Sequence, residues 1–407
     1  RQYIIENIDR AIDEGWIQVY YQPIVRAANG RVCDEEALAR WIDPEKGFLT
    51  PDKFIPVLED SNLIYKLGLY ITDKVLEKMR AQAYAGLFVV PMSVNLSRSD
   101  FDSCDIVEEI RKRTEAAGVS PDMLTIEITE SIVGNDFDYI KTQVERFQNL
   151  GFKVWMDDFG SGYSSLDVLQ SIRFDLIKLD MRFMQEFDKG EKSKIILTEL
   201  IRMAIGLGID TVVEGVETIE QVEFLREIGA TKLQGFYFCK PVPYEEILTR
   251  HREGRQIGFE NPDEAEYFET LGRVNLYDMS KVINDDEDYS DYFATNPMSI
   301  VELDRKKIRL IRGNASYRDF FAKYFSAYPR RRVVELDHIE TDKGKNFYEA
   351  LLQSADDGKS RIIDETLFDA STVHLFIRRI AKNPVTRVVA LVIAVLSISD
   401  RDGQKGK

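Results

Sequence analysis

Residues 17–40 read IQVYYQPIVRAANGRVCDEEALAR. Two apolar, β-branched runs, Ile17–Val25 and Arg31–Ala39, flank the short polar connection Arg26–Gly30. Parallel neighbours need a crossover of about a dozen residues or more, so this pair reads as an antiparallel hairpin. Working outward, runs of strand character recur at Phe88–Leu96, Met123–Thr129, Phe152–Asp157, Phe174–Leu179, Thr211–Val216 and Lys232–Phe236, with amphipathic stretches between them. The helices have legible ends. Thr50-Pro51 pairs an N-cap with proline at the first helical position. Gly151 follows Phe137–Leu150 where a left-handed cap is wanted, and Thr218 and Gln221 have capping-box spacing. About eight strands alternating with helices predict an α/β fold, a (β/α)₈ TIM-like barrel with an antiparallel first strand. A doubly wound open sheet is the alternative, but no GxGxxG turn follows any strand.

The 407 residues are 44% hydrophobic and carry a formal charge of −16, which argues against a protein that coats a nucleic-acid polymer. The excess is uneven: residues 1–250 hold 29 Lys and Arg against 43 Asp and Glu, the remainder 25 against 27. His251, His338 and His374 all lie beyond residue 250, so the first part has no histidine-dependent nucleophile and no histidine-ligated zinc. Cys33, Cys104 and Cys239 are too far apart for a CxxC site and read as buried thiols of a reducing, cytoplasmic compartment. No apolar run approaches the roughly 18 residues of a membrane span. Arg1 in place of methionine leads us to expect a longer parent protein.

Barrel enzymes place their chemistry at the C-terminal ends of the strands. Those ends carry Asn95, Glu127 and Glu130, then Asp157-Asp158 in WMDDFGSGYSSL, Lys178 in DLIKLD, Glu214 and Glu217 in VVEGVE, and Gln234 in LQGF. Alternation along the second strand points Glu36, Leu38 and Arg40 the same way. A lone strand-end Asp is more often a helix cap, but six strand ends carrying oxygen donors or an amine need another explanation. Burying so many acids is costly without cations. The donors are all oxygen, which suits Mg²⁺ or Mn²⁺, and two ions about 3.5–4 Å apart are the usual arrangement for in-line phosphodiester hydrolysis. A buried lysine beside metals serves either as a base, with its pKa lowered, or as a fixed charge; spacing leaves both open.

YYQPIV, EALAR, SVNLS, IEITES, DDFGSGYSSL, IKLD, VVEGVET and LQGFYFCKPVP occur in that order between Tyr20 and Pro243. Together they resemble the motif set of EAL-domain cyclic di-GMP phosphodiesterases. The resemblance implies a barrel with a reversed first strand, two Mg²⁺ or Mn²⁺ ions, and hydrolysis of cyclic di-GMP to linear pGpG. It implies metal ligation by Glu36, Asn95, Glu127, Asp157 and Asp158, and catalysis by Glu214, Lys178 and Glu36, with Lys178 and Glu214 holding or deprotonating the attacking water. Gln234 matches a position near the second metal, and substrate contact is implied for Gln22, Leu38, Arg40, Gln234 and Pro241. Glu130 and the loop holding Phe159, Gly160, Ser161 and Gly162 match the segment that couples the metal site to a homodimer interface; Ser161 keeps a hydroxyl where the family commonly has Thr. Glu217 is read as a water-mediated metal contact or as a structural hydrogen bond. Trp16, Trp41 and Trp155 are read as packing and Cys239 as a wall residue, although Trp41, next to Arg40, is also placed to flank the pocket. A receptor that binds cyclic di-GMP without turnover is the alternative; loss of Glu36, Lys178 or Glu214 would favour it, and none is lost.

Residues 1–255 are thus expected to form the barrel, 256–295 a helical and acidic connector containing Asn284–Asp291, and 296–400 a smaller α+β domain. In that last part, strands are expected at Ser299–Leu303 and Lys307–Arg312, helices from Asn314 and over Asn346–Ser354, then strands at Ser360–Phe368, Val373–Ile380 and Val385–Ser399. Two strands, short helices and three strands resemble a PAS sensory domain; a small dimerisation module without ligand is the plainer reading. The basic cluster Arg330–Arg332 reads as a solvated turn, and His338 and His374 as ordinary residues.

Overall fold

The short connection closes the expected hairpin. In the computed structural model, β1 (Ile17–Arg26) pairs antiparallel with β2 (Val32–Asp43) from Ile17↔Trp41 to Val25↔Val32. Gly30 makes the turn at φ +71°, with its N–H donating to the Arg26 carbonyl at 2.8 Å. The structure describes residues 1–135, 137–160, 165–277, 296–304, 307–325, 333–335, 344–367 and 369–399.

A short β3 (Gly47–Leu49) extends β2. Then β4 (Met92–Leu96), β5 (Leu124–Thr129), β6 (Lys153–Phe159), β7 (Leu176–Leu179), β8 (Asp210–Val213) and β9 (Lys232–Leu233) follow β2 side by side, all parallel. β9 pairs antiparallel with β1, which closes an eight-stranded barrel whose first strand runs against its seven companions. β10 (Val242–Pro243) pairs with Tyr20 and Tyr21 of β1 on the edge opposite β2. Ile24, Trp155, Leu176 and Val212 fill the interior. Trp41 is fully buried against Phe54, with ring centroids 5.7 Å apart, so it packs rather than flanking a pocket.

Several strands are shorter than their apolar runs, for local reasons. Phe88 is exposed and its carbonyl is taken by the Gln82 side chain, so β4 begins only at Met92. β8 stops at Val213 because the chain turns at Gly215, and β9 stops at Leu233 before Gly235. Most caps form as spaced: Gly151 has φ +93°, and Thr218 and Gln221 exchange hydrogen bonds at 3.2 Å each way, whereas Thr50 takes the N-cap position before Pro51 without a side-chain capping bond.

The barrel belongs to a unit comprising Arg1–Glu186, Ala204–Gln221 and Lys232–Pro262. Its contacts continue past Arg255, where the sequence suggests an end. Phe259 bridges to Val32, and the Glu260 carboxylate receives Arg26 Nη2 at 2.8 Å and Asn29 Nδ2 at 2.7 Å, with the Arg26 and Glu260 side chains only 5% and 4% exposed.

The second unit comprises Phe187–Met203, Val222–Thr231 and Asp263–Lys407. Its sheet holds β11 (Met298–Asp304), β12 (Lys307–Gly313), β13 (Val333–Glu335), β14 (Arg361–Thr366), β15 (Thr372–Lys382) and β16 (Val389–Ser399), all antiparallel, in the order β13-β12-β11-β16-β15-β14. β13 escaped the sequence reading, being only three residues long. β16 starts later than expected because Asn383 Oδ1 accepts the Val385 and Thr386 N–H groups and turns the chain there. The helix Ala315–Tyr324 is capped by the Asn314 side chain, and the helix Lys345–Asp357 packs Leu351 against Val301, Ile377 and Leu391. The half-buried Arg312 donates from its guanidinium to the carbonyls of Leu271 at 2.6 Å and Val274 at 2.8 Å, satisfying acceptors that a helix end leaves open. The acidic run Asn284–Asp291, the cluster Arg330–Arg332 and His338 lie outside the described residues.

Removing one partner of a buried ion pair strands the other charge and typically costs about 3–5 kcal/mol. Glu260→Ala is therefore expected to destabilise the barrel by about that amount in urea unfolding, and the double variant Glu260→Ala/Arg26→Met by clearly less. An equal cost for both would show that the pair's charge is not what matters.

Candidate active site

Strand register sets the site. Gln22 lies opposite Glu36 across β1 and β2, and Asn95 lies beside Glu127 across β4 and β5. Lys178 comes from β7, Asp157 and Asp158 from β6, and Glu214 and Gln234 from the first positions after β8 and β9.

Four of the carboxylates meet at one ammonium. Lys178 Nζ, 1% exposed, lies 2.8 Å from Glu127, 2.8 Å from Glu214, 3.2 Å from Glu36 and 3.3 Å from Asp157. Burial opposes its charge, but Asp157, Glu127, Glu214 and Glu36 together hold its pKa well above the usual lysine range. The four carboxylates around it therefore favour its charged form.

One cation does not neutralise this many acids. Burial, with Asp157 and Glu36 nearby, pushes Glu214 up to about 7 against the pull of Lys178. Burial likewise raises Glu127 well above the carboxylate range, with Glu36 and Asp157 adding to it despite Lys178. Glu36 goes the other way: burial raises it, but Lys178 and hydrogen bonds from Gln234 at 2.7 Å and Asn95 at 2.9 Å outweigh burial and lower it. Asn95 spends its amide N–H on Glu36, which leaves its carbonyl oxygen for a cation.

Adjacent residues of a regular strand point to opposite faces, yet Asp157 and Asp158 serve the same cluster. The register of β6 with β7 slips between Met156 and Phe159, and Asp158 adopts a left-handed φ of +56°. This bulge places carboxylate oxygens of Asp157, Asp158 and Glu214 within 4.8 Å of one another. Burial, with Asp157 and Asp180 beside it, pushes Asp158 up to about 6.

Two further observations bear on a metal. Glu127 Oε1 and Gln234 Oε1 are buried with no hydrogen-bond partner. Orphaned oxygens in a centre with excess negative charge are what a hard divalent cation would satisfy, so the residues fit one.

The other candidates divide. Gln22 receives the Gln234 amide at 3.1 Å and donates to the Cys239 carbonyl at 3.4 Å, and thereby joins the site. Leu38, Arg40 and Pro241 are half-buried, with Pro241 just before β10. Glu130 accepts the Gly160 N–H at 3.2 Å, tying the start of one helix to the loop after β6. Phe159 is buried; a Cβ on Gly160, at φ +91°, would meet the Phe183 ring at 2.8 Å. Ser161 and Gly162 lie outside the described residues. Glu217 is exposed, and its backbone N–H donates to Gln221 Oε1 at 2.8 Å. Asp180, beside Asp158, went unread, although its place two residues after Lys178 in DLIKLD was a usable signal.

Comparison with known proteins agrees with this geometry. Residues 5–241 match the EAL domain family. The chain belongs to that family. Over 250 residues the chain is 34% identical to the cyclic di-GMP phosphodiesterase NbdA of Pseudomonas aeruginosa, covering 61% of this chain and 32% of that protein. It is 34% identical over 245 residues to the cyclic di-GMP phosphodiesterase RocR of the same organism, covering 60% and 62% of the two chains. Among solved structures, a PaMucR phosphodiesterase in complex with c-di-GMP aligns with TM-score 0.57 and 32% identity, over 60% of this chain and 99% of that one. The chain spans about a third of the length of several curated relatives it matches. No helix among the described residues is long and apolar enough to cross a membrane.

The EAL domain's bulge yields a test. Asp158→Asn and Asp158→Ala both remove the charge, but a left-handed residue other than Gly, Asn or Asp costs about 1–2 kcal/mol. Both variants are expected to require at least tenfold more Mg²⁺ or Mn²⁺ for thermal stabilisation. Only Asp158→Ala is expected to lose a further 1 kcal/mol or so of metal-free stability.

Proposed function

We propose that this chain hydrolyses cyclic di-GMP to linear pGpG, using two Mg²⁺ or Mn²⁺ ions. The observation that carries this reading is the convergence of Glu36, Glu127, Asp157 and Glu214 on Lys178, with Asn95 and Gln234 bonded to Glu36 and Asp158 beside Asp157 and Glu214, so that no ligand type is missing. Glu36, Asn95, Glu127, Asp157 and Asp158 would hold the ions. Bound there, the ions supply a Lewis acid for the phosphodiester and make water a stronger acid.

The protein's own residues do the rest. Glu214, with its pKa near neutrality, accepts a proton from the attacking water. The water oxygen bonds to phosphorus as the bond from phosphorus to the 3′ oxygen breaks, leaving a 5′-phosphate; the departing 3′ oxygen takes a proton from solvent to become the 3′-hydroxyl, and Glu214 returns its proton to solvent. Lys178 places a fixed positive charge beside the developing negative charge without reorganising. Gln22, Leu38, Arg40, Gln234 and Pro241 orient the substrate. Glu130, through Gly160, links the metal-binding strand end to a loop through which the barrel dimerises.

The second unit is proposed as a PAS-like regulatory module. With the three-residue β13 left out of the count, the strands β12-β11-β16-β15-β14 lie in the order second, first, fifth, fourth, third, which supports a PAS-like sheet with β13 added at its edge. Reduced cysteines are consistent with a cytoplasmic setting for both units.

Purified protein is expected to bind cyclic di-GMP in chelator and to cleave it when Mg²⁺ or Mn²⁺ is added. Binding without cleavage in either metal would establish the receptor alternative; absence of both would overturn the assignment. Glu214→Gln is expected to lower turnover by about 10²–10⁴ while retaining substrate affinity. Near-wild-type turnover would remove Glu214 from the role of base.

A further inference from the structure

Tyr20 lies two residues from Gln22 on β1, so both side chains lie on one face. Cross-strand pairing sets Tyr20 opposite Leu38 and Gln22 opposite Glu36, while Pro243 flanks Tyr20 on the other side. Arg40, two residues beyond Leu38, is therefore the diagonal neighbour of Tyr20 on that face. Its Cζ lies 5.5 Å from the Tyr20 ring centroid, within cation–π range.

The surroundings of Arg40 are unusual for a half-buried cation. Among the described residues its guanidinium makes one hydrogen bond, Nη1 to the Ala39 carbonyl at 2.8 Å, and no ion pair. A carboxylate in that place would hold the side chain and also neutralise it. Glu36, an acid on the same strand face, is already engaged by Lys178, Asn95 and Gln234. An aromatic face orders the cation while leaving its charge and its remaining N–H groups available to an anion. Burial lowers the pKa of Arg40, and Tyr20 and Glu36 oppose that shift. The Tyr20 hydroxyl has no hydrogen-bond partner among the described residues, so the ring is the working part.

We propose that Tyr20 is a positioning residue for the substrate, its ring ordering the Arg40 guanidinium to receive a phosphate of the cyclic dinucleotide. This inference rests on the phosphodiesterase reading above. Without Tyr20, Arg40 regains its rotamer freedom and must be ordered by the substrate itself, which weakens binding and leaves the reacting groups in place.

The test uses the full chain, with calorimetric binding of cyclic di-GMP in chelator and steady-state turnover in Mn²⁺. Tyr20→Leu is expected to raise both Kd and KM about 3–30-fold and to move kcat less than twofold. Tyr20→Phe is expected to recover most of the lost affinity. In an Arg40→Ala background, Tyr20→Leu is expected to change Kd by less than twofold, because the partner it acts through is gone. An unchanged Kd in Tyr20→Leu, failure of Phe to recover binding, or an undiminished effect in the Arg40→Ala background would each overturn the proposal. A wild-type protein that neither binds nor cleaves cyclic di-GMP would instead overturn the phosphodiesterase reading, and this inference with it.

Discussion

A single buried ammonium, ringed by carboxylates from four different segments, is the constraint on which the barrel's catalytic end depends. Burying an ion costs several kcal/mol, while one opposite charge at about 4 Å returns about 4 kcal/mol at an effective dielectric near 20. One partner therefore roughly balances the burial of Lys178, and four overwhelm it. The same arithmetic runs against the carboxylates, which share a single cation and repel one another. Glu127 and Glu214 respond by holding protons more tightly, and the orphaned oxygens of Glu127 and Gln234 remain unsatisfied. The centre is stable enough to form yet retains an unmet demand for positive charge. That demand is the physical meaning of a metal-binding site.

Meeting the constraint requires departures from regular backbone. A flat β6 would send Asp157 and Asp158 to opposite faces, and the bulge with its left-handed Asp158 prevents that. Close approach sets the next requirement. A side chain at Gly235 would meet the backbone of Val216 at 2.1 Å, so the turn after β9, next to Gln234, passes the turn after β8 only with glycine there. These local costs sit beside the candidate ligands, as expected where function rather than stability chooses the conformation.

The reversed first strand has a consequence of its own. Because β1 runs against its neighbours, the start of β1 and the later part of β2 face each other in register, and Tyr20, Gln22, Leu38 and Arg40 share a face with Glu36. A parallel first strand would place different residues there. β10, added beside β1, brings Pro243 next to Tyr20 and extends that wall. The second unit is organised differently: an antiparallel sheet with a helix packed on one face, and a half-buried arginine answering backbone carbonyls.

Much of this was legible in the order of residues. The length of the Arg26–Gly30 connection determined the hairpin, the recurrence of β-branched runs determined the barrel, and the oxygen donors at successive strand ends marked the site, because side-chain alternation and loop length are local rules. The sequence alone did not say how many carboxylates would surround Lys178, since that depends on which strand ends meet once the barrel closes. It did not bring Asp180 beside Asp158, because a bulge re-aims the chain there. Nor did it show Tyr20 against Arg40, a contact made across two strands whose register only pairing defines. Residue type and spacing determine which chemistry a chain can assemble. Register, burial and the closure of the barrel decide which of those groups meet and what charge each one carries.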